Sequence, residues 1–183
     1  MDFGTNFIQT EPESGSNVFF QLLRGAREAK TPYIAVAEDD TLYPPGHFDL
    51  RPQNGAVAYN LNRWVINLER RRPYYGYAHK TVNASLIAPR ELVVQSLEER
   101  YTKYPDGTPD KFTGEIGRWE IENGLGVKRV KKVTLESEIP IIQFKHNYRR
   151  SGLGNVKKSL SSRIRSYELP YWGKVSELTK HFV

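Results

Sequence analysis

The spacing of apolar positions along the chain predicts a helix followed by a short buried strand. The helix is predicted to start at a cap formed by Ser16 or Asn17 and to end near residue 30. Its buried face is expected to carry the apolar residues at helical spacing, which are Val18, Leu22, Ala26 and Ala29. Residues 33–37 form a continuous apolar run, which is typical of a buried parallel strand. This order of elements indicates an α/β fold.

The rest of the chain continues the alternation of predicted helices and strands. Residues 89–103 are predicted to form a second helix, with Pro89 at its first position, and residues 104–117 form a loop containing Pro and Gly. Short apolar runs predict strands at residues 1–8, 56–61, 64–68, 82–88, 133–137 and 139–144. We therefore expect an α/β fold with a mixed, mostly parallel sheet flanked by helices.

Composition narrows the functional classes. The chain has 183 residues, of which 38% are hydrophobic, and it contains no cysteine, so neither a disulfide framework nor a thiolate metal site is expected. It has 27 basic and 21 acidic residues and a net charge of +6. This charge suits nucleotide phosphates, nucleic acid or an anionic membrane, and equally suits simple solubility. Without a membrane span or signal peptide, a cytoplasmic location is expected.

Three consecutive carboxylates, Glu38, Asp39 and Asp40, directly follow the strand predicted at residues 33–37. Adjacent carboxylates repel one another unless a cation or solvent intervenes, and their hard oxygens suit Mg²⁺ or Mn²⁺. The carboxyl ends of strands are also where open α/β sheets bind ligands. The alternative is an ordinary acidic loop, or a helix start in which the carboxylates interact favourably with the helix dipole.

The segment 25–48, GAREAKTPYIAVAEDDTLYPPGHF, resembles the helix, strand and acidic motif of GT-A glycosyltransferases, especially their family 2-like branch in bacteria and phages. The resemblance covers roughly residues 2–150 and includes 139–146, IPIIQFKH, in which an Ile-rich strand ends in His146. It implies a Rossmann-like GT-A domain over residues 1–150. It also implies metal-dependent, inverting transfer of a sugar from a nucleotide-sugar, with a UDP-sugar as the first donor to consider, to an acceptor hydroxyl.

The resemblance also assigns roles to individual residues. Asp40 would bind Mn²⁺ or Mg²⁺, Asp39 would be a supporting or second ligand, and His146 would complete the metal shell. Glu38 would face the donor's ribose or a metal-bound water. A surface or capping residue is the alternative reading of His146. The chain begins at the segment that follows the first nucleoside-binding strand and helix of these enzymes, so that unit is expected to be missing.

An inverting transfer needs a base that accepts the proton of the acceptor hydroxyl. The candidates are Glu115, Glu120 and Glu122. Glu120 and Glu122 alternate around one residue, as they would on one face of a strand. Glu115 is preferred because it corresponds to the acidic loop before the last strands of the resembling enzymes. For each of the three, a solvated surface glutamate is the alternative.

Basic residues near His146 are expected to hold the donor diphosphate. The best placed are Lys145 and Arg149, although Arg149 also fits a solvated run of charges. Residues 151–183 form a basic amphipathic extension that would lie on a membrane surface or on nucleic acid, pack on the domain, or mediate a homo-oligomer.

The sequence leaves the acceptor open between a glycan, a lipid-linked sugar and a DNA base. A DNA-base-directed glycosyltransferase is therefore one alternative function, because phosphate neutralisation would suit the net charge of +6. A non-catalytic remnant that serves as a binding module is the other.

Overall fold

The computed structural model describes residues 4–53, 55–68, 70–145 and 164–181. Its helices are α1 (Gly15–Glu28), α2 (Arg90–Lys103), α3 (Trp119–Leu125) and α4 (Val175–Leu178). Its strands are β1 (Tyr33–Ala35), β2 (Thr41–Leu42), β3 (Ala56–Asn60), β4 (Arg63–Asn67), β5 (Tyr75–Tyr77), β6 (Leu86–Pro89), β7 (Lys131–Leu135), β8 (Ile141–Lys145), β9 (Arg165–Ser166), β10 (Glu168–Leu169) and β11 (Gly173–Lys174). The fold is thus mixed α/β, as predicted.

The strands form two mixed sheets and a small hairpin. The first sheet has the order β1-β6-β3-β7, the second has the order β2-β8-β4-β5-β9, and β10 pairs with β11. Within the described residues, only the pairs β3–β7 and β4–β8 are parallel. The remaining pairs are antiparallel. The prediction of a mostly parallel sheet was therefore wrong.

Helices α1 and α2 cover one face of the first sheet. The side chains buried between the helices and the sheet include Phe19, Leu23, Ala26, Val57, Tyr59, Leu86, Val93 and Leu97. Strand β3 lies inside this sheet, and all five of its residues are buried. Removal of this apolar surface from water is the main stabilising contribution to this half of the fold.

Helix α1 buries a face that overlaps only in part with the predicted one, since Ala26 is buried and Leu22 packs against the edge of the core. It is capped by Ser14, whose Oγ accepts a hydrogen bond of 3.0 Å from the Asn17 N–H. Its buried residues are Ser16, Phe19, Leu23 and Ala26. Val18, which the spacing placed in the core, is 52% exposed. Apolar residues occupy two adjacent faces of this helix, so spacing alone did not identify the face that packs on the sheet.

Strand β1 also differs from the prediction. It has three residues, lies at the edge of the first sheet and pairs antiparallel with β6, instead of forming a buried parallel strand over 33–37. It remains half-exposed because no other described strand lies on its outer side. Residues 4–8, the described part of the strand predicted at 1–8, belong to no sheet.

Other predicted elements lie close to their expected positions. Helix α2 and strands β3, β4, β7 and β8 begin and end within about three residues of the predictions. The strand predicted at 82–88 is shorter, because a 3-10 turn at Asn83–Ser85 precedes β6.

Residues 164–181 pack on the second sheet. Strand β9 extends the sheet beside β5, and Leu169 and Val175 are buried against Ile66 and Phe144. This part of the predicted extension therefore contributes to the folded domain. Among the helices that the structure describes, none is both long enough and apolar enough to cross a membrane.

Two helical glycines provide a test of this packing. A Cβ at Gly124 in α3 would collide with the Phe112 ring, whereas a Cβ at Gly25 in α1 would meet nothing within 4 Å. We expect Gly124→Ala to lower the free energy of unfolding by about 1–3 kcal/mol through overpacking. Gly25→Ala should raise it by about 0.5–1 kcal/mol, because alanine favours the helix. Urea unfolding measures both, and equal effects would contradict the packing around α3.

Candidate active site

The acidic triplet lies where the chain crosses from one sheet to the other. Strand β1 is the edge of the first sheet, and β2, which begins one residue after Asp40, is the edge of the second. A turn joins them, in which the Thr41 N–H donates to the Glu38 carbonyl at 3.2 Å. The three carboxylates are therefore carried by a short connection anchored at both ends by strands.

Hydrogen bonds fix the backbone of this turn. The Tyr43 hydroxyl accepts from the Glu38 N–H at 3.0 Å and donates to the Ala84 carbonyl at 2.9 Å. The Phe144 N–H, from β8, donates to the Asp40 carbonyl at 2.8 Å. Burial raises the pKa of Tyr43 to about 12, so its hydroxyl keeps the proton that it donates. Both sheets thus hold the turn in place.

A buried arginine lies near the carboxylates. Arg63, at the start of β4, is 3% exposed, and its guanidinium donates to the Gln143 Oε1 at 2.6 Å. Gln143 in turn donates from Nε2 to the Glu38 carboxylate at 3.3 Å. Burial lowers the pKa of Arg63, and the charges of Glu38 and Asp40 partly offset that effect. The amide of Gln143 therefore links the guanidinium to the acidic turn.

The ionised form of Glu38 is disfavoured in this site. Burial raises its pKa above the usual range, the neighbouring Asp40 and Asp39 raise it further, and Arg63 opposes them. Asp40 is half-buried and accepts a hydrogen bond of 2.9 Å from the Thr41 hydroxyl, whereas Asp39 is exposed. The ionised form of Glu38 is thus only partly compensated by Arg63.

Strand β8 brings Lys145 to the same place. Thr41 pairs with Gln143 and the Phe144 N–H donates to the Asp40 carbonyl, so Lys145 is the next residue of β8 beyond this contact. Side chains alternate along a strand, and Lys145 therefore lies on the same face of β8 as Gln143, which contacts Glu38. His146 and Arg149, predicted to act beside it, lie outside the described residues. Within those residues, no group of three or more His, Cys, Asp or Glu side chains is arranged to hold a metal.

The three candidate bases lie in a different part of the fold. Glu115 is in the loop before α3, where its carboxylate pairs with Arg118 at 3.2 Å. Glu120 and Glu122 are in α3, so the prediction that they share a strand face was wrong. The preceding Gly117 has a positive φ of 77°, which ends the loop in a turn before α3. Glu120 is mostly exposed.

The side chain of Glu122 is buried and links two segments of the backbone. It is 1% exposed, and its two carboxylate oxygens accept hydrogen bonds from the Gly117 N–H at 2.6 Å and the Val130 N–H at 3.0 Å. These bonds join α3 to the loop before it and to the segment that leads into β7. A carboxylate that is 1% exposed and binds two backbone N–H groups is out of reach of a substrate hydroxyl.

Sequence reasoning missed three residues that complete the site, which are Tyr43, Arg63 and Gln143. One signal was present for Arg63, because a charged residue opens an otherwise apolar run at 64–68. Tyr43 and Gln143 gave no comparable signal, since their contacts depend on the pairing of β2 with β8.

Comparison with protein-family models, with curated proteins and with solved structures finds no match to this chain. The functional argument therefore rests on the residues of the chain itself.

The raised pKa of Glu38 predicts a stability that depends on pH. Below its ordinary pKa, Glu38 is neutral in both the folded and the unfolded chain, and stability is lost as pH rises through the raised pKa. In chelated buffer at pH 7, Glu38→Gln should therefore unfold at a higher temperature than the parent, and the difference should shrink towards about pH 4. Glu138→Gln, an exposed control, should show no such trend. A destabilised Glu38→Gln at pH 7 would contradict this electrostatic description.

Helix α3 offers a second test, because it contains one buried glutamate, Glu122, and one exposed glutamate, Glu120. Glu122→Ala leaves two backbone N–H groups without acceptors and should cost about 2–4 kcal/mol. Glu120→Ala should change stability by less than about 0.5 kcal/mol, as expected of an exposed side chain. Urea unfolding of both variants distinguishes them. A small effect of Glu122→Ala would remove its assignment as a structural residue.

Proposed function

We propose that this chain carries the metal- and donor-binding part of a GT-A type glycosyltransferase that moves a sugar from a nucleotide-sugar to an acceptor hydroxyl. The observation that carries the proposal is the anchored turn of Glu38, Asp39 and Asp40 between the two sheets, with Arg63 buried beside it. A fixed set of carboxylates suits a divalent cation, and adjacent basic groups suit phosphate oxygens.

The chemistry of the turn fits Mn²⁺ or Mg²⁺. Its ligands are hard carboxylate oxygens, which these ions prefer. Asp40 uses Oδ1 to accept from Thr41, and no described residue donates to its second oxygen. Asp39 is exposed and carries a second carboxylate. His146, one residue after β8 in the sequence, would add an imidazole. Asp40, Asp39 and His146 would therefore hold the ion, which would supply charge neutralisation for the leaving diphosphate.

Other residues would bind and orient the donor. Lys145 lies on the face of β8 that points towards Glu38, and together with Arg149 it would hold the diphosphate oxygens. Glu38, whose orientation is set by the Gln143 amide, would accept a hydrogen bond from the donor's ribose. Arg63 is 3% exposed and would serve as a buried positive charge that opposes the rise in the pKa of Glu38.

The acceptor proton requires a separate base. Glu115 remains our choice because its side chain is partly exposed and its only described ion-pair partner is the exposed Arg118. Glu122 is less suited, since both of its oxygens already accept backbone hydrogen bonds. For this the donor, held at the acidic turn, would have to extend to the loop before α3. There the acceptor hydroxyl would attack the anomeric carbon, its proton would pass to Glu115, and the nucleoside diphosphate would leave.

Removing one charge from the turn tests the proposal. Asp40→Asn keeps the shape of the side chain, and it should weaken Mn²⁺ and UDP-sugar binding together by about tenfold or more while the fold stays intact. Asp49→Asn, an exposed residue of the segment that follows β2, is the matched control and should bind both ligands like the parent. Isothermal titration of each ligand into each variant gives the comparison.

Glu115→Gln serves as the contrasting variant in the same experiment. Donor binding should survive, and sugar transfer should fall by roughly 10²-fold or more, the usual contribution of a general base. If Asp40→Asn binds metal and donor as tightly as the parent, the proposed metal site is wrong. If Glu115→Gln transfers sugar at the parental rate, the metal site stands and the base lies elsewhere.

A further inference from the structure

The segment before β5 and the hairpin of β10 and β11 together present arginines and tyrosines to the solvent. Arg71 and Arg72, in the segment before β5, are both exposed. Tyr167, between β9 and β10, is 63% exposed, and Tyr171, at the tip of the hairpin, is 60% exposed. Positive charge and aromatic rings are therefore accessible in one region of the second sheet.

An open cavity of about 420 Å³ lies between that segment and the hairpin, and its volume is in the range of ligand pockets. Tyr167 contributes an aromatic ring to its wall. Its charged lining consists of three cations and one carboxylate, which are Arg71, Arg72, Lys174 and Glu168. The cavity therefore combines an excess of positive charge with an exposed ring, and such a combination suits an anionic ligand that carries a flat group.

Two further guanidiniums lie beside the cavity. The Cζ atoms of Arg70 and Arg165 lie 5.0 Å and 4.7 Å from the centroid of the buried Tyr74 ring. Tyr167 packs edge-on against the same ring, with the centroids 6.5 Å apart. Cation–π contacts of this kind hold guanidiniums in place. Tyr74 thus keeps two more positive charges close to the exposed ring of Tyr167.

The tip of the hairpin presents Tyr171 in a strained backbone conformation. Its φ is 70°, in the left-handed region that favours glycine. The Trp172 N–H donates to the Pro170 carbonyl at 2.9 Å, which closes a three-residue turn around Tyr171. The Trp172 indole anchors the tip by donating to the Pro140 carbonyl at 2.8 Å. Because strained residues cluster at ligand-binding sites, this turn indicates a ligand for the Tyr171 ring.

The chemistry of these side chains favours single-stranded nucleic acid. Guanidiniums bind phosphate oxygens through paired N–H donors, and exposed tyrosine rings stack on unpaired bases. Glu168 can accept a hydrogen bond from the amino group of a base, whereas an anionic membrane would repel it. Of the large hydrophobic side chains that are exposed in residues 164–181, only Ile164 is aliphatic, so this segment lacks the broad apolar face of a membrane-bound helix.

We propose that this surface binds a single strand of nucleic acid. Its phosphates contact Arg71, Arg72 and Lys174, and its bases stack on Tyr167 and Tyr171. The binding goes beyond the proposed sugar transfer and does not depend on it, because none of these residues belongs to the acidic turn.

Fluorescence anisotropy of the full chain with a labelled single-stranded DNA of about 15 nucleotides tests the proposal. Chelated buffer keeps the proposed metal site out of the measurement. The parent should bind the strand, and its affinity should fall steeply as salt is added. A duplex of the same length should bind more weakly, since its bases are already stacked on one another.

A pair of charge variants locates the phosphate contacts. Arg71→Gln combined with Arg72→Gln should weaken binding by about tenfold or more and make the slope of log K against log salt shallower by about 1.4, because two phosphate contacts are lost. Lys131→Gln combined with Lys132→Gln removes the same charge from exposed residues of β7, at the edge of the first sheet. This control should change the affinity by less than about twofold.

Two tyrosine variants test the stacking. Tyr167→Ala and Tyr171→Ala should each weaken binding by about tenfold and leave the salt slope unchanged, since stacking releases no counterions. Trp119→Ala, which removes a ring that is 54% exposed in α3, should bind like the parent. Circular dichroism reports whether each variant is folded.

Four results would overturn the proposal. The first is a parent that does not bind the strand at low salt, and the second is an equal loss of affinity in the arginine and lysine pairs. The third is parental affinity in both tyrosine variants. The last is binding to vesicles of phosphatidylserine and phosphatidylcholine without binding to the strand, which would assign the surface to a membrane instead.

Discussion

The hydrogen bonds that hold the chain as it crosses from the first sheet to the second determine the geometry of the candidate site. The chain carries three adjacent carboxylates at this crossing, and their mutual repulsion opposes any conformation that holds them close together. The Phe144 N–H fixes the Asp40 carbonyl, and the Tyr43 hydroxyl fixes the Glu38 N–H. Because these contacts come from the second sheet and from the segment after β2, both parts must be assembled before the carboxylates are held together.

Local patterns identified much of the fold but not its pairing. Strands β3 and β4 follow from their apolar runs, which are mostly buried, and α2 follows from Pro89, which directly precedes its first residue. Residues 119–125 show the limit of that reasoning. Glu120 and Glu122 alternate around an isoleucine, as in a strand, yet they lie in a short helix, which is joined to its neighbouring segments by two backbone N–H groups that donate to the Glu122 carboxylate. Such a contact has no signature in local spacing.

The candidate site was likewise predictable only in part. The acidic triplet could be recognised because its three residues are adjacent in sequence. Arg63 had only the signal of a charge before an apolar run, and Gln143 had none. Their contact depends on the parallel register of β4 and β8, which no local pattern shows. The edge position of β1 was unpredictable for a similar reason. Its composition suits a strand paired on both sides, and the structure leaves its outer side with no described neighbour.

The dependence of donor binding on a divalent cation tests the central claim most directly. Titration of a UDP-sugar into the parent chain, first in chelated buffer and then with Mn²⁺, measures that dependence. The carboxylates of the turn and the donor diphosphate repel one another, so binding should be weak without the ion and should strengthen by about tenfold or more when it is added. Donor binding of equal strength under both conditions would contradict the assignment of Glu38, Asp39 and Asp40 as a metal-dependent donor site.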